Sequence, residues 1–580
     1  MRKQKNLDNL SFEGMEPWQG YLSDAKIELL NKTWAGAFRK HILPNLPVDS
    51  LAQHYSKNMG RPTKDLMTAM GVAILQQIFD LTDMQTREQL AFNQQWHYAL
   101  ETFDPKEQLF AEKTLWTVRH HLTRSNAGHD IFNTITDALA DTFKVDTGKQ
   151  RLDSVHVYSD MAKLGRARLM ARTITKFLRN LKRQFADEYK QDISEQLKER
   201  YTKEKSSSYF GNAKPSESQK RLSEIAADMQ FLIQKYSGCE ATIKMNSYKL
   251  MQRVFSEQCV IKEGKVELKP AKEIPSDSIQ NPSDIDAGYD GHKGQGYQVQ
   301  LSETYSRKEE KENNENEDAL DLITYVKVES ADKHDSHALH PAIDDMEERG
   351  MKPDELLVDA AYGGDDNVRE AAPKEVEIIS PVTGKKSGKD FSGFEFDKKS
   401  LKVKQCPNGR LPQSVKENKK GTITARWTNR DCLDCPLNEN CPALRGPRGR
   451  RLLYSEKEIR LWQRRQMQDS EEFSDKYRYR AGIEATNARF IHMTGARRVR
   501  YRGQENVEFA ETMKALGINM FRVLKHLIKT GVSTDSLLNI AFKIKIIRLF
   551  FDFRDKYYKI YHKYLRKDLW RRFSTKSVFN

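Results

Sequence analysis

The sequence predicts an α/β chain in which helices precede and interrupt a sheet. Three observations carry that prediction. Leu66, Met70, Ile74 and Ile78 recur every fourth residue, as one face of a helix does. QRLDSVHVY, 150–158, alternates so that Asp153, Val155 and Val157 share one side of a strand. ELLVDAAY, 355–362, is an apolar run of strand length that carries a carboxylate near its end.

The elements follow in order. Residues 1–60 form an N-terminal arm with no assigned structure. Residues 61–145 read as a helical DNA-binding or dimerisation domain. Pro62 suits a helix start, where its missing N–H costs nothing. Asp83 to Phe92 and Glu112 to Leu122 read as two more helices. Three such helices fit a helix-turn-helix-like unit and a plain bundle equally well.

A core is expected over 146–525. Its first strand is followed by a helical insertion, 166–262, rich in Lys, Arg, Glu and Gln and interrupted at 206–218. GYQVQLSE (296–303) and LITYVKVES (322–330) read as strands, joined by a polar, low-complexity tip at 306–318. After 355–362, Gly363 and Gly364 turn the chain, and Asp365 or Asp366 is expected to cap a helix. The segment 380–455, rich in Gly, Lys, Pro and Cys, has little periodicity and reads as a Cys-rich insertion. A helical pattern resumes from Ser455 to about Lys529, before a basic, aromatic tail at 526–580.

Composition narrows the function. Charged residues make up 31 % of the 580, and no stretch approaches the ~20 apolar residues of a membrane span. No apolar core follows the basic N-terminus, and six cysteines make no disulfide scaffold, so a cytoplasmic protein is expected. Lys and Arg number 97 against 82 Asp and Glu, a net charge of +15 that suits a polyanion and equally serves solubility.

Three carboxylates stand out by their settings: Asp153 in the first strand, Asp359 at the end of the buried strand, and Glu484 in the helical YRYRAGIEATNARF. Strands disfavour Asp, although a strand-end Asp often does no more than cap a turn. Three carboxylates suit phosphodiester chemistry. Two divalent ions about 3.5–4 Å apart activate the nucleophile and stabilise the leaving oxygen, and Mg²⁺ needs only a few carboxylates because it keeps several waters.

At these residues the sequence resembles the DDE-type insertion-sequence transposases. Tyr477, Arg480 and Glu484 fit their Tyr-x₂-Arg-x₃-Glu signature, at i, i+3 and i+7 of one helix face. RLDSVHVYSDMAKLGR resembles the first-strand motif, GYQVQL the second strand and LLVDAAYGG the segment of the second Asp. Residues 61–125 resemble the N-terminal domain of this branch. The resemblance spans roughly residues 60–525. It implies a ribonuclease-H-like core, a mixed sheet flanked by helices, with Asp153, Asp359 and Glu484 as catalytic ligands of Mg²⁺ or Mn²⁺. Tyr477 and Arg480 are then contacts to DNA phosphates. Many relatives carry Lys or Arg seven residues after the Glu; here Ile491 stands there, with Arg489 and His492 nearby.

Other features extend this reading. GARRVRYRG (495–503) supplies Arg497, Arg498, Arg500 and Arg502, suited to phosphate. Cys406, Cys432, Cys435 and Cys441 are enough for one structural Zn²⁺. His334, His337 and His340 read as a strand-to-helix connection, with Asp335 as a cap. The expected function is a bacterial, nucleoid-associated transposase, a homodimer on DNA. It would bind the ends of an insertion sequence, cleave the strands and join the 3′-OH ends to target DNA. The alternatives are a nuclease of the same fold that does not join, and a non-enzymatic DNA-binding derivative.

Overall fold

The computed structural model describes residues 1–531 apart from 6, 8–16, 203–214, 308–318, 385–388, 438 and 440. The break expected at 206–218 and the tip at 306–318 fall largely outside the described residues, and so does the tail from 532.

Helix α1 (Leu66–Ile78) is buried along all 13 of its residues. It is therefore the centre of a bundle, not a surface helix with one apolar face. Asp65, not Pro62, opens it, with a side-chain oxygen accepting from the Thr68 N–H at 2.7 Å. Around it lie α2 (Asp83–Phe92), started by a Thr82–Gln85 capping box, α3 (Glu112–Arg124) and α4 (Ala127–Phe143). Short helices between residues 24 and 52 bury Trp34, Phe38, Leu43 and Leu51 in the same cluster.

Strand β1 (Lys149–Tyr158) then enters the main sheet. The insertion follows as α5 (Arg166–Gln184), α6 (Pro215–Tyr236), α7 (Asn246–Gln258) and shorter helical pieces, around an apolar cluster of its own. It ends in a hairpin, not in helix as expected: β2 (Cys259–Lys262) pairs with β3 (Lys265–Leu268). Glu263 and Gly264, with φ of 49° and 77°, make the tight turn that such a hairpin needs.

The sheet is completed by β4 (Gly288–Asp290), β5 (Gly294–Thr304), β6 (Ile323–Ser330), β7 (Glu355–Val358) and β8 (Glu377–Ile379). Its order is β4-β5-β1-β7-β8, with β6 also on β5. β1 runs antiparallel to β5 and parallel to β7, and β7 runs parallel to β8. α8 (Leu339–Glu348) and α9 (Asp365–Ala371) cover one face through Leu339, Ile343 and Ala371. Asp365 does not cap α9. It pairs with Arg460 at 2.9 Å, and the N-cap position belongs to Gly364. His334, not Asp335, caps the short turn before α8, its ring nitrogen accepting from the Ser336 N–H.

The segment 380–455 is folded. β9 (Glu395–Phe396) pairs with β10 (Val403–Gln405), and β11 (Ser414–Glu417), β12 (Thr422–Trp427), β13 (Leu444–Gly446) and β14 (Gly449–Ser455) form a sheet ordered β11-β12-β14-β13. Beyond it the expected single helical stretch is α10 (Glu456–Gln468), α11 (Glu471–Tyr477), a 3₁₀ turn (Arg478–Arg480), α12 (Ala481–Thr494) and α13 (Gln504–Gly531). α13 returns to the N-terminal bundle, where Gly517 lies against Ile78. One apolar cluster thus runs from Trp18 through α1, α4 and the second face of the sheet to Ile528, across the 145/146 boundary drawn on the sequence.

Candidate active site

β1 and β7 bring the two aspartates together. Their parallel register sets Leu152 beside Val358, and the next residue on each strand is Asp153 or Asp359. Leu152 and Val358 point into the α8–α9 core. Alternation therefore turns Asp153 to the opposite side, toward α12. Asp359 stands where the strand stops, and its Oδ1 accepts from the Ala361 N–H at 2.8 Å and more weakly from that of Tyr362. It does cap a turn, and it does so beside Asp153.

Arg480 links the third acid to this pair. Its guanidinium lies 3.4 Å from Asp153 Oδ2 and 3.1 Å from Glu484 Oε1. The Asp153 and Arg480 side chains are largely buried, whereas Glu484 is 66 % exposed. Burial pushes the Asp153 carboxyl up to about 6; Arg480 opposes the rise, and Asp359 and Asp335 add to it. Burial works against the Arg480 charge, but Asp153, Tyr477, Asp359 and Glu484 together bind its proton more firmly than usual. Among the described residues no three His, Cys, Asp or Glu side chains are drawn up to metal-holding distance.

The Tyr477–Arg480–Glu484 signature does not lie on one continuous helix. α11 ends at Tyr477 and α12 begins at Ala481. The Tyr479 carbonyl between them, in a 3₁₀ turn, also accepts from Arg151 Nη1 at 2.6 Å. Tyr477 is half-buried, stacked on Phe473 and packed against the cluster of Tyr305, Leu357 and Ile379.

Several residues that sequence reasoning missed hold α12 in place. Asn487 Nδ2 donates to Asp153 Oδ2 at 3.1 Å. Glu303, fully buried on β5, accepts from Arg151 at 2.7 Å, from Thr486 at 2.7 Å and from Arg522. Burial alone would raise the Glu303 carboxyl, but the Arg522 and Arg151 guanidiniums hold it below the usual range. Gly482 makes room for this network: a Cβ there would come within 2.0 Å of Arg151 Nη1. No local signal marked Glu303, but the Gly inside a helical pattern hinted at a close approach.

The arginine segment continues the site along β1. Gly495, at φ 69°, ends α12 in the left-handed conformation. The chain then runs beside the end of β1, with Tyr158 N donating to Arg497 O and Val499 N to Tyr158 O. Arg497 lies over the Tyr158 ring, Arg498 reaches Asp160 at 3.2 Å and Arg500 reaches Asp80 at 3.0 Å. These arginines, with His492, line a cavity of about 680 Å³ between the sheet and the α1–α2 turn. Arg489 and Arg502 are exposed, and Ile491 packs against the core. The four cysteines Cys406, Cys432, Cys435 and Cys441 lie apart from this site, around one cavity in the 380–455 module.

Two family models match the chain. A transposase DDE domain matches residues 405–524, which takes in Tyr477, Arg480 and Glu484 but neither aspartate. A transposase domain (DUF772) matches residues 35–121, the helices around α1. No curated protein matches the chain.

Proposed function

We propose, for a chain that belongs to the DDE-type insertion-sequence transposases, that Asp153, Asp359 and Glu484 cut DNA strands at the ends of an insertion sequence and join them to a target. The observation that carries this reading is the β1–β7 register, which sets Asp153 beside Asp359 next to the helix of Glu484. The mixed sheet with helices on both faces supports a ribonuclease-H-like core.

The donor set fits a hard divalent cation. The three side chains offer carboxylate oxygens, and the two aspartates carry like charge in a place where burial already disfavours it. Asp153 and Asp359 would hold Mg²⁺ or Mn²⁺, with Glu484 joining once Arg480 releases it. Bound there, such ions supply the charge that activates water or a 3′-hydroxyl and stabilises the leaving 3′-oxygen. Asn487 orients Asp153 through its hydrogen bond. Arg480, freed from Glu484, takes a phosphate oxygen near the cut. Arg497, Arg498 and Arg500 hold the backbone farther along the groove, with Arg489 and Arg502 exposed beside it, and two copies act together on the DNA.

The test uses Asp153→Ala, Asp359→Ala and Glu484→Ala, each assayed for binding of end DNA and for Mg²⁺-dependent nicking and joining. Each variant should bind like wild type and lose nicking and joining together, by about 100-fold or more. Wild-type nicking by one variant refutes the role of that residue. Nicking without joined products in wild type leaves a nuclease.

A further inference from the structure

The 380–455 module is small, with a core of only ten buried apolar side chains of its own, joined by Ile459 of α10. Modules of that size commonly need a staple. Its four cysteines come from separate pieces of chain. Cys406 opens a tight Cys-Pro-Asn-Gly turn after β10, where its N–H donates to the Arg410 carbonyl and Gly409 sits at φ 70°. Cys432 ends a single helical turn started by a Thr428–Asp431 capping box, and Cys435 follows three residues later. Cys441 precedes β13, and Arg450 donates to its carbonyl and to that of Ala443.

All four nevertheless line a single cavity of about 250 Å³, together with Trp427 and Arg450. Cys406, Cys432 and Cys441 are partly buried against the module's core, and none of the four is in a disulfide. We propose that Cys406, Cys432, Cys435 and Cys441 bind one structural Zn²⁺ that ties the helical turn of Cys432 and the start of β13 to the β10 turn. Four thiolates suit tetrahedral zinc. Among the described residues the thiols share the cavity without standing at coordinating distance, and a bound ion would draw their side chains together.

The experiment uses the full chain purified without added metal under mild reduction. Elemental analysis should find about one zinc per chain. Co²⁺ exchanged into the wild-type protein should give the thiolate charge-transfer band of a tetrahedral site. Cys406→Ser and Cys441→Ser should each drop the zinc content to about a tenth or less, whereas Cys239→Ser keeps it. Wild-type protein without zinc and without the cobalt band overturns the proposal, whatever the variants do. So does zinc retained in both Ser variants, or alkylation without reductant that finds two of the four thiols already joined.

Discussion

His156 stands three residues beyond Asp153 on β1, with both ring nitrogens buried and without a hydrogen-bond partner. Burial first, then Lys293 and Arg497, holds its imidazole neutral down to about 4, against an opposing Asp290. An unfolded chain takes up that proton near 6.5. Between these values the unfolded state binds more protons, so stability is full above about 6.5 and falls as pH drops through the window. The thermal midpoint of wild type should therefore fall from pH 6.5 toward 4, and His156→Phe should flatten part of that fall. Identical profiles for the two proteins would count against the assignment. At this scale the sequence was informative where a residue was out of place. An Asp inside an apolar strand needs a reason, and the parallel register sets Asp153 and Asp359 next to each other. Asn487 and Glu303 were invisible because their types are ordinary for a helix and a strand, and only distant partners give them their roles.

At the scale of elements, the sequence marked β1, β5 and β6 as strands but left open how far each is covered. Every residue of β5 is buried, including Gln298, Gln300, Ser302 and Glu303. A strand covered on both faces pairs its polar side chains internally instead of turning them to water. Glu303 is the extreme case, since it fixes β1 through Arg151, α12 through Thr486 and α13 through Arg522. Removing its charge leaves two guanidiniums short of a partner in a dry place. Glu303→Gln, nearly equal in shape, should cost about 3 kcal/mol in denaturant unfolding. It should also lower nicking, because α12 carries Glu484. A loss of only about 0.5 kcal/mol, the size of an exposed pair, would mean that the network positions nothing. The break between α11 and α12 was illegible for a related reason: the helical pattern continues through 478–480, and the Arg151 guanidinium that also holds the Tyr479 carbonyl comes from β1.

Across the whole molecule, the net charge of +15 hides a local concentration. The segment 380–455 holds seventeen Lys and Arg against seven Asp and Glu, ten of the fifteen net charges in 76 residues. Averaged over the chain, the excess said little, and the segment itself reads as an irregular insertion because its strands are short and the chain between them is rich in Gly and Lys. Folded, it sets Arg426 opposite Arg451 on β12 and β14, both exposed, with Lys416 opposite Thr424 on the neighbouring strand pair. Like charges in register on adjacent strands repel, and a phosphate shared between them relieves the repulsion. On the proposed function, this pair is expected to give the DNA backbone a further contact, apart from the one proposed for Arg497, Arg498 and Arg500 beside β1. Each phosphate contact contributes about 0.9 to the slope of log K against log salt. Arg426→Gln combined with Arg451→Gln should flatten that slope by about two contacts' worth, roughly 1.8. The loss should be equal on end DNA and on unrelated duplex, because backbone contacts carry no sequence. A slope equal to that of wild type would place the module away from the DNA. A loss confined to end DNA would assign these arginines to reading bases instead.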